Sequence, residues 1–395
     1  MLKPIPFNRP FLADAADARL REVLDSGHHS GDGPMTRRCQ ALLEEILDGP
    51  RVLLTTSCTH ALEMAALLLD LGPGDEVIFP TFTFVSTVNA FVLRGVRPLF
   101  ADIHPDTLNL DEGHVARLMT PRVKAVVPVH YAGVGCEMDA IGRLAEQHGL
   151  AVVEDNAHGL FGRYRGRMLG TFGRMATLSF HETKNISCGE GGALLLNDAS
   201  LVERAEVLRE KGTNRSRFFR GQVDKYSWVD VGSSWVPSDV LAALLYSQLE
   251  TRDRIQARRR RVWHYYADHL RDWALAQGVR LPMAPAHCEP PYHMFYLLLP
   301  SLEDRHALIA HLKAQGVHSA FHYLPLHTSH MGRRFDGAEG DCPVAEAVSD
   351  RLLRLPFFCD LSESDLSRVV AAVRSFRVNA VGGDWLARAH ARASA

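Results

Sequence analysis

Two side chains in this sequence could do chemistry together. Asp155 ends the apolar run A-V-V-E-D (151–155), and Lys184 lies in S-F-H-E-T-K-N (179–185), just before the glycine-rich C-G-E-G-G (188–192). A carboxylate at the end of a buried strand can pair with a cofactor's ring nitrogen, keep it protonated and make the ring an electron sink. It can equally cap a following helix. A lysine in a dry site loses part of its preference for the ammonium form and becomes a nucleophile toward carbonyls; on the surface it is only a charge. A third segment, T-S-C-T-H-A-L-E (56–63), passes from an apolar run to a helical one. Ser57, Cys58 and Thr59 would stand at a helix N-terminus, where free N–H groups and the helix dipole favour a phosphate. Plain capping by Ser57 or Thr59 is the other reading. In P-T-F-T-F-V-S-T (80–87), Phe84 is either an aromatic face for a ring or a core residue.

Such groups need a scaffold. Apolar runs at 51–57, 76–80, 97–103, 124–130, 151–157, 175–181 and 191–198 read as strands. Helical patterns at 59–72, 84–94 and 138–150 lie between them, and another runs through V-E-R-A-E-V-L-R-E (202–210). Continuous apolar strands separated by helices predict an α/β fold with a mostly parallel central sheet and helices on both faces. Ligands in such sheets sit beyond the carboxyl ends of the strands.

A polar loop rich in Arg, Gly and aromatic residues spans 211–237, a length that usually carries function. Its Arg215, Arg217, Arg220 and Lys225 could hold a diphosphate, and Tyr226, Trp228 and Trp235 offer faces to a sugar or a base; the alternative is surface ion pairing. Residues 238–270 read as one charged helix whose Arg258–Arg261 run is a solvated face. From about Pro282 a smaller α/β unit is expected, with strands in H-M-F-Y-L-L-L-P and V-H-S-A-F-H-Y-L-P and a helix in D-R-H-A-L-I-A-H-L-K-A-Q-G. We divide the chain into a large domain, 1–255, a small domain, 256–380, and a poorly ordered tail, 381–395.

Composition narrows the partners. The net charge is −2, with 44 Lys+Arg against 46 Asp+Glu, so nucleic acid is not an expected partner. No apolar run reaches the length of a membrane span, and the N-terminus does not read as a signal peptide. The seven cysteines are scattered without a C-x-x-C pair, which predicts a reduced cytoplasmic protein without disulfides or a zinc site. No metal site is expected.

The ordered set T-S-C-T-H-A-L-E, P-T-F-T-F-V-S-T, P-V-H-Y-A-G, V-E-D-N-A-H-G, S-F-H-E-T-K-N and G-E-G-G-A resembles the DegT/StrS-type sugar aminotransferases over roughly residues 4–375. Three further segments resemble the TDP-4-amino-4,6-dideoxygalactose transaminases among them: residues 210–234, F-H-Y-L-P-L-H (321–327) and R-L-L-R-L-P-F-F (351–358). The resemblance implies an aspartate-aminotransferase-like (fold type I) enzyme that uses pyridoxal 5′-phosphate (PLP). Lys184 would be the Schiff-base lysine and proton shuttle, Asp155 the partner of the pyridine nitrogen, and His158 the neighbour of the phenolic oxygen. Ser57, Cys58, Thr59 and Ser179 would hold the phosphate and Phe84 would stack on the ring. Ser233, Ser234 and Trp235 would reach a neighbouring subunit's site in a homodimer with shared active sites, and His322, Tyr323 and His327 would shape the sugar pocket.

Three departures from the family pattern stand out. Cys58 replaces a common glycine, His158 a commoner glutamine, and Ile186–Gly189 is one residue short. The implied reaction moves an amino group from L-glutamate to TDP-4-keto-6-deoxy-D-glucose in two halves, giving TDP-4-amino-4,6-dideoxy-D-galactose. C3 amination or another C4 outcome, a PLP-dependent sugar dehydratase, and a silent regulatory homologue are the alternatives. Retention of Lys184 and Asp155 argues against the last two.

Overall fold

The computed structural model describes residues 3–379. Its centre is a seven-stranded sheet in the order Arg51–Thr55, Gly192–Leu196, Met175–Ser179, Ala151–Asp155, Val123–Val126, Glu76–Pro80 and Arg97–Ala101. Only Gly192–Leu196 runs against the rest, pairing antiparallel with both neighbours. The chain therefore needs no crossover helix between Met175–Ser179 and Gly192–Leu196. It makes a loop, 180–191, at the carboxyl end of Met175–Ser179, and Lys184 rides on that loop.

Alternation along the strands explains the layers. Leu53, Phe79 and Val153 face a core covered by the helices Cys58–Leu68 and Val85–Val92. Val52, Leu54 and Leu178 face the opposite core, under Pro34–Leu47 and Asp239–Glu250. Burying both faces of the sheet is what makes its strands read as unbroken apolar runs.

The helix expected over 238–270 is two helices, Asp239–Glu250 and Arg252–Gln277. Thr251 breaks the run, with its Oγ1 donating to the Ser247 carbonyl at 2.8 Å. The two pieces serve different cores, which one straight apolar stripe could not do. The first packs on Ala16–Ser26 and Pro34–Leu47, the second on Glu363–Ser375 through a core containing Tyr266, Leu270 and Trp273.

That second core belongs to an antiparallel sheet ordered Tyr296–Leu298, Leu352–Arg354, Ala320–Phe321. The middle strand was not foreseen, because three residues are too few for a period to show. Ile5 is buried in this core and bridges to Val317, so the first residues of the chain pack with the C-terminal unit rather than with the rest of 1–255. The tail assigned to 381–395 lies outside the described residues. Among the described residues no helix is long and apolar enough to cross a membrane.

Candidate active site

A cavity of about 910 Å3 opens where the carboxyl ends of the central strands meet the C-terminal unit. Asp155 reaches it as the last residue of Ala151–Asp155 and is only 5% exposed. Its Oδ2 accepts from Thr87 Oγ1 at 2.7 Å and its Oδ1 from the Ala157 N–H at 3.1 Å. Among the described residues it has no ion-pair partner. A carboxylate has about four acceptor positions, so Asp155 keeps capacity for a cationic group in the cavity. Glu154, on the other face of the strand, is fully buried. It accepts from the N–H groups of Gly170, Phe172 and Gly173 at 2.7–2.8 Å and lies 2.9 Å from His130 Nε2. These bonds lock the strand end that aims Asp155.

Lys184 lines the same cavity, its N–H bonded to the His181 carbonyl. Burial of the ammonium pulls its pKa from 10.5 down to about 8. The Arg354 charge pushes the same way, while Cys58 and Asp155 oppose it. About a tenth of such a lysine is neutral at pH 7, against well under ~0.1% for an ordinary one.

The helix N-terminus expected at Ser57 to Thr59 is present at the cavity. Ser57 caps Cys58–Leu68, accepting from the His60 N–H, and Ser57, Cys58 and Thr59 all line the cavity. Thr59 Oγ1 donates to Ser86 Oγ at 2.9 Å, joining two helix N-termini. A Cβ on Gly192 would fall 2.3–2.4 Å from the Ser57 carbonyl carbon and Cys58 nitrogen, so only glycine allows this close approach. Burial pushes the Cys58 thiol well up, keeping it neutral. Its presence in place of glycine therefore adds no charge against a bound anion. Ser179 and Phe84 line the cavity too, and Phe84 is exposed rather than in the core.

His158, His293 and His322 form an imidazole wall. His158 stacks on His293 with centroids 4.3 Å apart, and among the described residues its buried Nδ1 has no hydrogen-bond partner. Burial holds all three well below the ordinary histidine value, so they act as neutral polar groups. Tyr131 bonds His322 Nδ1 from behind at 2.8 Å, and Tyr323 completes that side. The unpartnered imidazole nitrogen, the carboxylate without a counter-charge, the lysine of lowered pKa and the glycine-backed helix N-terminus together fit PLP. When bound, that group supplies an electron sink for a carbanion next to its ring.

Several residues expected at the pocket lie elsewhere in this chain. Trp235 is 7% exposed and packs into the core near His60, its carbonyl accepting from the Thr56 N–H. It is too deeply buried to offer a face to substrate. His327 is fully buried and does not line the cavity. Its Nδ1 pairs with Thr81 Oγ1 at 2.6 Å and its Nε2 with Glu346 at 2.9 Å, so it joins the end of Glu76–Pro80 to the C-terminal unit. Ser233, Ser234, Arg220, Lys225 and Tyr226 also stay outside this chain's cavity. Arg220 pairs with Glu206 at 2.7 Å and Arg217 with Glu203 at 3.0 Å, the ion-pair alternative within one chain.

Some lining residues carried no role in the sequence reading. Thr87 and Arg354 sat inside quoted motifs. His293 and the N-terminal Phe7 and Asn8 gave no local signal; Asn8 Nδ2 donates to the Glu182 carbonyl and so steadies the Lys184 loop.

Residues 11–374 match the model of the DegT/DnrJ/EryC1/StrS aminotransferase family. The structure is similar to that of the aminotransferase TlmJ from Streptoalloteichus hindustanus, with 34% identity, coverage of 94% of this chain and 98% of that one, and a TM-score of 0.86. DesV from S. venezuelae, solved in complex with a ketimine intermediate, is 33% identical over 94% and 98% of the two chains, with a TM-score of 0.84. The sugar aminotransferase CalS13 from Micromonospora echinospora is 26% identical over 94% and 99%, with a TM-score of 0.84. With this match over nearly the whole chain and a cavity built for the cofactor, the chain belongs to the DegT/DnrJ/EryC1/StrS family and is a PLP-dependent aminotransferase of fold type I.

Proposed function

We propose that the protein aminates a nucleotide-linked keto sugar, TDP-4-keto-6-deoxy-D-glucose, using L-glutamate, to give TDP-4-amino-4,6-dideoxy-D-galactose. The observation that carries this reading is one cavity holding Lys184 and Asp155 beside a wall of neutral polar rings, His158, His293, His322 and Tyr323. Such a wall offers hydrogen bonds to a polyol without a fixed charge. That CalS13 is a sugar aminotransferase supports the substrate class. The segments 210–234 and 351–358 favour the C4 galacto product.

Within this reading Lys184 would hold the cofactor covalently and would move the proton at the reacting carbon. Asp155 would pair with the ring nitrogen and His158 with the phenolic oxygen, while Ser57 to Thr59 and Ser179 would hold the phosphate and Phe84 would cover the ring. Cytoplasmic placement rests on seven cysteines that are all free.

Binding energy from the remote nucleotide helps hold the keto carbon in place. Two charge-assisted bonds to a diphosphate contribute about 3 kcal/mol, or ~100-fold. Free 4-keto-6-deoxyglucose should therefore show kcat/KM at least ~100-fold below its TDP conjugate. Similar values would end the nucleotide-sugar assignment and leave the aminotransferase standing. Mass and NMR analysis of the product fixes the carbon and its configuration.

The reading includes a homodimer in which the 211–237 loop completes the partner's site. In one chain this loop leaves Trp228 80% exposed, with Phe219 and Tyr226 also in solvent, a large aromatic surface for a protein to expose. Sedimentation should give a dimer at assay concentration. A monomer with full activity at every dilution would remove the shared site.

A further inference from the structure

We propose that Asn185 and His293 form a positioning pair that ties the Lys184 loop to the C-terminal unit and so fixes where Lys184 meets the reacting carbon. The proposal rests on the role given to Lys184 above.

Asn185 follows Lys184 in the chain, is buried, and does not line the cavity. Its side chain makes two short bonds to the C-terminal unit. Nδ2 donates to the Pro291 carbonyl at 2.7 Å, and Oδ1 pairs with His293 Nδ1 at 2.8 Å. Together the two bonds assign the protons. A carbonyl only accepts, so the amide nitrogen must face Pro291 and the amide oxygen the imidazole. His293 Nδ1 therefore carries the hydrogen. Burial holds this ring neutral, which leaves Nε2 as an acceptor. Other side chains hold the loop further along the chain: Asn8 bonds the Glu182 carbonyl, and Gln248 accepts from the Ser187 N–H at 3.3 Å.

The segment that grips Asn185 is held in a strained form. Tyr292, between Pro291 and His293, has a φ of +53°, in the left-handed region that bulky side chains seldom adopt. Such a conformation persists only where its surroundings over-determine it. Here they do. Arg259, buried on the helix Arg252–Gln277, donates to both the Tyr292 and the His293 carbonyls. Trp263 and Arg260 of the same helix hold the Tyr292 ring, at 5.8 and 5.5 Å. Pro291 is seated so closely on Gly133 that a Cβ there would fall 2.4 Å from its Cδ. Turned in this way, the segment offers one carbonyl and one ring nitrogen to the same amide. The His293 ring also stacks on His158, so one residue steadies both the lysine loop and the imidazole expected at the phenolic oxygen.

This matters because Lys184 has a long flexible stem. Among the described residues its side chain makes no hydrogen bond, so its reach is set by the backbone on which it stands. A misplacement of about 1 Å at a reacting group can cost ~100-fold in rate.

Asn185→Leu removes both bonds without removing a cavity contact. It should still bind PLP, and it should slow the L-glutamate half-reaction and the amino-sugar half-reaction by one common factor of ~10–100, since Lys184 is asked to move the proton in both. In the cofactor-free chain, hydrogen exchange should quicken across 180–191 and stay at the parent rate across the strand Arg51–Thr55, which separates a loosened loop from a folding defect. His293 is tested in the glutamate half, where no sugar is present. An Asn side chain places its NH2 near the position of imidazole Nδ1, and a Gln near that of Nε2. His293→Asn should therefore recover a large part of what His293→Gln loses. Adding Asn185→Leu to His293→Gln should cost little more, as expected for two residues in one linkage. Losses that multiply, a loss in one half-reaction only, better rescue by Gln than by Asn, or unchanged exchange across 180–191 would each overturn the pairing. A parent chain that forms no lysine-bound cofactor would instead overturn the role given to Lys184.

Discussion

Lys184→Ala should abolish turnover, by on the order of 10⁴-fold or more, while leaving the fold intact. Lys184 is asked to do two things, to hold the cofactor covalently and to carry a proton, and general acid–base transfer alone contributes about 10²–10⁴-fold. Among the described residues its side chain makes no hydrogen bond, while its backbone N–H donates to the His181 carbonyl. The depressed pKa of about 8 gives the reading a pH signature. Lys184 attacks in its neutral form, so covalent capture of added PLP by the apo chain should quicken as pH rises and level off above about 8. In Lys184→Ala the visible absorbance of lysine-bound cofactor should be missing at every pH. Normal turnover by this variant would end the proposed mechanism, and capture that is flat from pH 6 to 9 would show that the lysine is not the titrating nucleophile.

The sheet was legible because its central strands are largely buried on both faces and so read as apolar runs between helices. Lys184 and Asp155 were legible for the same reason: both follow a strand's carboxyl end, where an α/β sheet exposes what it carries. Less local features did not show. The break at Thr251 depends on two cores competing for one helix pattern. The 296–298, 320–321 and 352–354 strands are too short to display alternation. Arg354 and His293 enter the cavity from the C-terminal unit, and nothing in sequence spacing brings them to residues 155 and 184.

Trp235 and His327 show how a right motif can mislead about contact. Both belong to segments that resemble the family, and both sit close behind the site. Trp235 supports the turn before Ser57, since its carbonyl takes the Thr56 N–H. His327 fastens Thr81, two residues before the cavity-lining Thr83, to the C-terminal unit. A motif preserves whatever the site requires, including the residues that hold its walls, and only burial distinguishes those from the ones that touch a ligand.

Asp155→Asn isolates charge from shape. The amide is nearly the size of the carboxylate, and its oxygen can still accept from the Ala157 N–H. Its NH2 would face Thr87 Oγ1, which must then accept; that hydroxyl already pairs with Thr83 Oγ1 at 2.9 Å and can reverse the direction of the chain. The expected loss of stability is therefore small, below about 2 kcal/mol. The loss in chemistry is larger. A neutral amide does not hold a ring nitrogen in its protonated form, so the electron sink weakens just when negative charge develops at the reacting carbon. Removing one such electrostatic partner costs roughly 10²–10³-fold in kcat. Cofactor should still bind, because the phosphate corner and Lys184 are untouched, and proton abstraction from α-deuterated glutamate should become more clearly rate-limiting, with a larger isotope effect. Unchanged turnover, or a loss of cofactor binding equal to the loss of rate, would show that Asp155 serves only to shape the strand end that Glu154 already locks in place.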